Sequence, residues 1–186
     1  MSFIQSPLFI SDLEFTGLDP TIHEIIEIGV VKVDQEKMEV VGELEMRIAP
    51  QHIETADPEG IKRAGYDETL WQGALPLDEA LNKLTTFVGT GTSQPAKFAG
   101  WTQILDWTYL SMVYRKYGKP CPFDYITFDI CTLAQEYLKN ESNIPKFSLS
   151  NTSIYLGIEP EPIPHRAVNG ARQAFLVLKK LRELGV

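Results

Sequence analysis

Cysteine and long apolar segments are scarce in this 186-residue sequence. Its only cysteines are Cys121 and Cys131, which are too few for a disulfide framework and are not spaced as zinc ligands. No segment approaches the roughly 18 apolar residues of a membrane span, and no basic segment followed by an apolar run opens the chain. We therefore expect a cytoplasmic protein with no membrane association.

Positive charge is also in short supply. The chain carries 17 Lys and Arg against 25 Asp and Glu, which gives a net charge of −8. This argues against a protein that coats nucleic acid, because nonspecific affinity comes from cationic side chains that displace counterions. It does not exclude an enzyme that holds a few nucleotides, since bound cations can neutralise both acidic side chains and phosphates. The length and the 44% hydrophobic content predict a single globular domain over residues 1–186.

Three strands are predicted in the first part of the chain, at residues 7–15, 25–34 and 38–50. They are rich in β-branched residues or alternate apolar and polar positions, and Pro50 ends the third. The segments between them, GLDPTIHE and DQEK, are short and turn-like. The three strands are therefore expected to pair as an antiparallel meander.

Strands and helices alternate in the remaining sequence. Residues 96–100 and 124–129 are strand candidates, and apolar spacing predicts helices at 77–88, 105–117, 130–139, 148–157 and 167–184. The proline-rich segment 159–165 predicts a rigid loop that delivers His165. This order predicts an α/β fold with a mixed sheet and helices on its faces.

Two acidic residues interrupt the first strand, in the segment ISDLEFTGL. Side chains alternate along a strand, so Asp12 and Glu14 project from one face with Cα atoms about 6.6 Å apart. At that separation the two carboxylates can share a divalent cation and ionise poorly without one. A solvated edge strand with two surface acids is the alternative that Asp-x-Glu alone leaves open.

Three segments resemble the motifs of the DEDD 3′-to-5′ exonucleases. DLEFTGL is similar to the first motif, Asp-x-Glu-x-Thr-Gly-Leu, and WTQILDWTYL is similar to the second through Asp106, with Trp101-Thr102 in place of the usual His-Asn. HRAVNGA resembles the third motif of the histidine-bearing (DEDDh) branch through His165 and Ala167. The resemblance covers essentially the whole chain. It implies the RNase H-like fold, a mixed five-stranded sheet made of the meander and parallel strands and flanked by helices.

The resemblance also implies a mechanism, two-metal hydrolysis of phosphodiester bonds at the 3′ end of single-stranded DNA or RNA. Asp12 would bridge two divalent cations, Glu14 would ligate the first and Asp106 would serve the second. His165 would act as the general base on the attacking water. Oxygen ligands suit Mg²⁺ or Mn²⁺.

Substrate-binding residues are implied next to the first two motifs. Thr16 and Gly17 would let the backbone approach the terminal nucleotide, and Leu18 and Phe15 would line a base pocket. Trp101 could stack on an unpaired base, although packing in the core or at its rim is the alternative. The neighbouring Lys146 and Arg166 are candidate phosphate contacts.

One acid of the family pattern is missing. The fourth carboxylate should stand five residues after His165, where this chain has Gly170. Asn169 lies about 100° around the helix and would point elsewhere. Glu161 and the other acids beyond Asp129 do not have the required spacing, and a water could fill the gap.

Two further functions therefore stay open. One is a catalytically degenerate member that binds a nucleic-acid end or a protein partner. The other, which the sequence supports less, is a glycosidase that uses Asp12 and Glu14 as its two catalytic carboxyl groups. Against it, these two acids share one strand, and the Thr-Gly step has no role in that chemistry. Whether two copies form a homodimer is also left open.

Overall fold

A five-stranded mixed sheet forms the centre of the computed structural model, which describes residues 6–89, 96–141, 144, 146–162 and 165–185. The strands are β1 (Leu8–Phe15), β2 (Ile25–Asp34), β3 (Glu39–Arg47), β4 (Lys97–Gly100) and β5 (Phe128–Asp129). Their order is β3-β2-β1-β4-β5. The first three strands pair antiparallel, and β4 is parallel to both β1 and β5. The predicted meander and mixed sheet are confirmed.

Six α-helices accompany the sheet within the described residues. They are α1 (Pro58–Ala64), α2 (Leu77–Val88), α3 (Ile104–Lys116), α4 (Ile130–Leu138), α5 (Leu149–Tyr155) and α6 (Ala167–Glu183), and a 3₁₀ turn covers Ile53–Thr55. None of the helices in these segments is long and apolar enough to cross a lipid bilayer.

The sheet is buried on both faces, and each face has its own hydrophobic core. On one face, α2 and α3 pack against Phe9, Leu13 and Ile28. On the other face, α4 and α6 pack against Ile10 and Val31. Alternation along β1 sends successive side chains into the two cores. The central strand is consequently held from both sides, which gives the acids near its end a rigid support.

Helix α6 approaches β2 more closely than a side chain would permit. A Cβ atom placed on Gly29 would lie 2.1 Å from the carbonyl carbon of Ala167 and 2.1 Å from the backbone nitrogen of Val168. Glycine therefore lets the first turn of α6 rest directly on the sheet. This contact fixes the position of His165, two residues before Ala167.

Three predicted boundaries were wrong. β3 ends at Arg47, before Pro50. The strand predicted at 124–129 is reduced to Phe128–Asp129, because the Asp124 side chain accepts a hydrogen bond from the Ile126 nitrogen and turns the chain. Helix α5 ends at Tyr155, two residues before Gly157.

Helix α1 was not predicted, and a short helix of this kind has a weak apolar pattern. Its start nevertheless follows a local signal, since Asp57 caps the helix through the Glu59 nitrogen and Pro58 occupies the first turn. In the proline-rich loop predicted at 159–165, residues 163 and 164 lie outside the described residues.

Candidate active site

One pocket collects the acids and the histidine of the three motifs. Asp12 and Glu14 come from β1, Asp106 from the first turn of α3, and His165 from the segment before α6. The cavity they line has a volume of about 360 Å³. These side chains are distant in sequence, and the sheet order brings them together because β1 lies between β2 and β4.

The carboxyl groups of Asp12 and Asp106 stand in surroundings that oppose ionisation. Burial raises the pKa of Asp12 well above its ordinary value, and the charges of Asp106 and Glu14 raise it further. Burial also raises the pKa of Asp106, as does the charge of Glu14. The hydroxyl of Ser11 donates to Asp106 Oδ2 over 3.4 Å, which partly offsets this effect.

Glu14 has a pKa of about 7, again chiefly because it is buried. Glu27 and Glu161 add to this increase through their negative charges, while the positive charge of Arg63 opposes it. Glu14 and Glu27 are register partners on β1 and β2, which explains why one acts on the other.

The donor chemistry of the pocket fits a divalent cation. Asp12, Glu14 and Asp106 offer hard oxygen ligands that repel one another, and a cation would relieve that repulsion. Among the ion pairs of the described residues, none involves these three acids. In the same part of the chain, no three Asp, Glu, His or Cys side chains are already grouped as a metal site. The residues fit a cation in kind, and binding would require them to draw together.

Gly170 lies directly against Asp12. A Cβ atom at residue 170 would stand 2.2 Å from Asp12 Oδ2 and 2.7 Å from its Cγ, so the Asp12 carboxyl group occupies the space where a side chain would begin. Asn169 points elsewhere, since its side-chain oxygen accepts from Arg172 Nη1 at 2.9 Å. Position 170 thus faces the acids but contributes no ligand.

His165 is half-exposed and contacts a carboxylate that the sequence analysis did not assign to the site. Its Nδ1 atom lies 3.2 Å from Glu161 Oε2, and the Glu161 side chain is only 11% exposed. The other oxygen of Glu161 accepts from the backbone nitrogen of Arg166 at 3.2 Å. Spacing along the chain carried no signal for Glu161, because its position depends on the path of the loop.

Arg166 is bound by two acids of the sheet. Its Nε donates to Glu27 Oε1 at 2.9 Å, and its Nη2 lies 2.7 Å from Glu45 Oε1. The Glu27 side chain is 0% exposed and that of Arg166 is 34% exposed, so this ion pair between β2 and the start of α6 is partly buried. Arg166 therefore anchors α6 on the sheet and is not among the residues that line the pocket, so a phosphate contact at Arg166 stays a prediction.

The Thr16-Gly17 step after β1 is tied down by hydrogen bonds. The Thr16 hydroxyl accepts from the Glu24 nitrogen at 2.8 Å, and its carbonyl accepts from the Asp57 nitrogen at 2.7 Å. The Gly17 carbonyl accepts from the Tyr109 hydroxyl at 2.7 Å. Gly17 lines the pocket, whereas the fully buried Thr16 lies behind it.

The three predicted base contacts line the pocket, whereas Lys146, a predicted phosphate contact, does not. Leu18 is 64% exposed, as expected of a residue available to a ligand. Phe15 is buried, and its ring stacks on Tyr109 with centroids 4.1 Å apart. Trp101 stacks on Phe147 with centroids 6.3 Å apart, so the indole is already packed on one side.

Several pocket residues were missed by sequence reasoning. Helix α1, which was not predicted, contributes Glu59, Gly60 and Arg63, and its N-cap residue is Asp57. Thr102 also lines the pocket, and its φ of 56° places a β-branched residue in the left-handed region. No periodic pattern marks these positions.

Comparison with known proteins agrees with this fold. A family model described as Exonuclease matches residues 9–178. DNA polymerase III PolC-type from Thermotoga petrophila is 28% identical over 192 aligned residues, which span 100% of this chain and 13% of that protein. The chain thus corresponds to a small part of that relative.

Solved exonuclease structures have the same fold at low sequence identity. The nuclease domain of 3′hExo, a DEDDh family member bound to rAMP, has a TM-score of 0.75 at 18% identity, covering 99% of this chain and 94% of that one. Exonuclease I of E. coli in complex with a 5cy-dT13 oligonucleotide has a TM-score of 0.80 at 14% identity, covering 97% of this chain and 41% of that one. A zinc-bound E. coli ExoI–ssDNA complex has a TM-score of 0.79 at 16% identity, with the same coverage of 97% and 41%.

The family match begins in β1 and ends within α6, so it includes the motifs that supply all four pocket residues. Its members typically use divalent metal ions, in agreement with the donor chemistry of the pocket. This protein belongs to the exonuclease family and has the RNase H-like fold of the DEDDh 3′-exonucleases.

Proposed function

We propose that this chain is a metal-dependent 3′-to-5′ exonuclease acting on the 3′ end of single-stranded DNA or RNA. The observation that carries the proposal is the convergence of Asp12, Glu14, Asp106 and His165 in one pocket. The neighbours solved with rAMP, an oligonucleotide or ssDNA support a nucleic-acid substrate.

Each residue has a role in this proposal. Asp12, Glu14 and Asp106 would hold two divalent cations, Mg²⁺ or Mn²⁺, and these would supply Lewis-acid chemistry. His165 accepts the proton of the attacking water. Leu18 and Trp101 contact the terminal base at the mouth of the pocket.

A second candidate function is binding of 3′ ends without cleavage. Gly170 favours it, because the position of the fourth acid carries no ligand and the Asp12 carboxyl group occupies the space. Loss of one anionic ligand weakens the attraction for a cation. The two candidates share a substrate and differ only in turnover.

Degradation of 5′-labelled single-stranded DNA and RNA oligonucleotides distinguishes the two candidates. In Mg²⁺ or Mn²⁺ we expect a ladder of 3′-shortened products that is lost in EDTA and in Asp12→Ala. The absence of products with the unmodified protein, combined with retained binding of 3′ ends, would establish the second function instead.

Two variants test whether the missing carboxylate at residue 170 limits activity. Gly170→Ala and Gly170→Asp both introduce a Cβ that forces the Asp12 carboxyl group to move, but only Gly170→Asp adds a ligand. Activity that is lower in Gly170→Ala and restored or raised in Gly170→Asp would show that a carboxylate at 170 completes the site. Equal loss in both would show that displacement of Asp12 dominates.

A further inference from the structure

Glu161 lies four residues before His165, in the loop that leads to α6. One of its carboxylate oxygens is 3.2 Å from His165 Nδ1, and the other accepts from the Arg166 nitrogen at 3.2 Å. The Glu161 side chain is largely buried while the imidazole is half-exposed. The carboxylate is therefore held in place by the backbone and presents its second oxygen to the histidine.

The charge of Glu161 also acts on the acids of the pocket. It contributes to the raised pKa of both Asp12 and Glu14. The charge of Glu161 thus reaches the carboxylates of β1 as well as His165, although Glu161 belongs to none of the three motifs.

The contact with Glu161 favours one position for the proton of the imidazole. An ionised carboxylate only accepts hydrogen bonds, and a backbone N–H only donates. When His165 is neutral, a hydrogen on Nδ1 faces the carboxylate 3.2 Å away, whereas a lone pair there would be repelled by it, so Nε2 is left with the lone pair. That lone pair is what a general base uses to accept a proton.

We propose that Glu161 is a positioning residue that holds the neutral imidazole of His165 with its proton on Nδ1 and its lone pair on Nε2. The catalytic consequence rests on the proposed exonuclease function. The positioning itself depends only on the contacts among Glu161, His165 and Arg166.

Glu161→Gln tests the proposal with little change of shape. The Gln side-chain oxygen must keep facing the Arg166 N–H, because that group can only donate, and this places the amide nitrogen opposite Nδ1. The amide then donates to Nδ1, and the imidazole proton moves to Nε2. A purely structural role of Glu161 would not invert the tautomer.

The chain offers a matched control. His52 and Glu54 form a similar pair, with 3.2 Å between Nδ1 and Oε1, but both side chains are exposed and neither lines the pocket. Glu54→Gln should leave the tautomer of His165 and the nuclease activity unchanged.

The tautomer can be read by NMR on the metal-free protein with ¹⁵N-labelled histidine, at about pH 8.5, where imidazoles are ordinarily neutral. The chain has three histidines, so the His165 signals can be assigned with a His165→Gln variant. We expect an Nδ1–H tautomer for His165 in the unmodified protein and an Nε2–H tautomer in Glu161→Gln. An Nε2–H tautomer in the unmodified protein, or no change in the variant, would overturn the inference.

Kinetics separate this inference from the proposed function. For an active enzyme, Glu161→Gln should lower kcat by about 10²-fold, the size of a general-base contribution, with little change in KM. Inversion of the tautomer in a chain that never cleaves would establish the positioning and refute the nuclease. Inversion with unchanged kcat would refute its catalytic consequence.

Discussion

At the scale of single residues, the acids of the pocket are held where ionisation is unfavourable. Glu14, with a pKa of about 7, carries a proton in the folded protein at pH values where the unfolded chain has already lost it. The folded state therefore binds more protons than the unfolded state between the ordinary pKa of 4.5 and about 7. A bound cation would compete for the same oxygens.

The free energy of unfolding of the metal-free protein should consequently fall as pH rises from about 4.5 to about 7. Because the pKa of Glu14 is raised in the folded protein, ionisation of Glu14 lowers the free energy of unfolding. By about pH 7 this lowering amounts to on the order of 3 kcal/mol relative to low pH. Urea unfolding in EDTA across this range measures the effect. Glu14→Gln should flatten the profile, with Asp12 and Asp106 responsible for the remaining slope, whereas Glu54→Gln should leave it unchanged. Stability that rises with pH in this range would contradict the prediction.

Thr102 is strained by its backbone conformation. A β-branched residue at a φ of 56° is unfavourable by about 1 kcal/mol, and asparagine tolerates this region better. Thr102→Asn should therefore raise the free energy of unfolding by about 1 kcal/mol in urea titrations. Thr132→Asn, at an exposed position within α4, should bring no such gain. If both variants behave alike, strain at Thr102 is not the cause.

At the scale of secondary-structure elements, the contact between β2 and α6 positions the histidine. Gly29 permits the close approach of Ala167, and the partly buried ion pair of Glu27 with Arg166 holds the start of the helix. Breaking either contact moves the segment that carries His165, although neither is part of the pocket lining.

Gly29→Ala should destabilise the protein by about 3 kcal/mol or more, since its Cβ would overlap the rigid backbone of α6. Nuclease activity should fall with it, because Ala167 is displaced together with His165. Gly42→Ala is the matched control on β3, where the nearest atom to a new Cβ is a Phe87 ring carbon at 3.4 Å, an ordinary contact. Thermal unfolding of the two variants measures the difference. A similar small effect in both would show that α6 can shift without cost.

At the scale of the whole molecule, the chain carries a net charge of −8, and the pocket adds several acids at the place where the proposed function would put a phosphate. Within the described residues, the basic side chain that lines the pocket besides His165 is Arg63. Attraction for a nucleic-acid end therefore has to come largely from bound cations.

Binding of a single-stranded oligonucleotide should require Mg²⁺. In a His165→Ala background, chosen to prevent cleavage, we expect EDTA to weaken affinity by about tenfold or more in fluorescence anisotropy. Asp106→Asn in that background should weaken binding in Mg²⁺ and strengthen it slightly in EDTA, because it removes both a ligand and a repelling charge. Affinity that does not depend on the cation would show that the acids take no part in binding.

Local features were determined by the sequence alone. The predicted strand 25–34 coincides with Ile25–Asp34, and the placement of Asp12 and Glu14 on one strand face follows from the geometry of any strand. Both properties depend on residues close in sequence, so periodicity suffices to predict them. Asp106 and His165 are distant from β1 in sequence, and only the resemblance to the exonuclease motifs indicated that they belong with its acids.

The tertiary structure alone decided which distant side chains meet. Glu161 lies 3.2 Å from His165 Nδ1, and Arg166 pairs with acids on two strands. Gly170 lies against Asp12 because α6 packs on β1 and β2. Helix α1 adds residues to the pocket although its own sequence pattern is weak. Such contacts depend on strand order and on the close approach of backbones, and neither is encoded in the spacing of residues along one element.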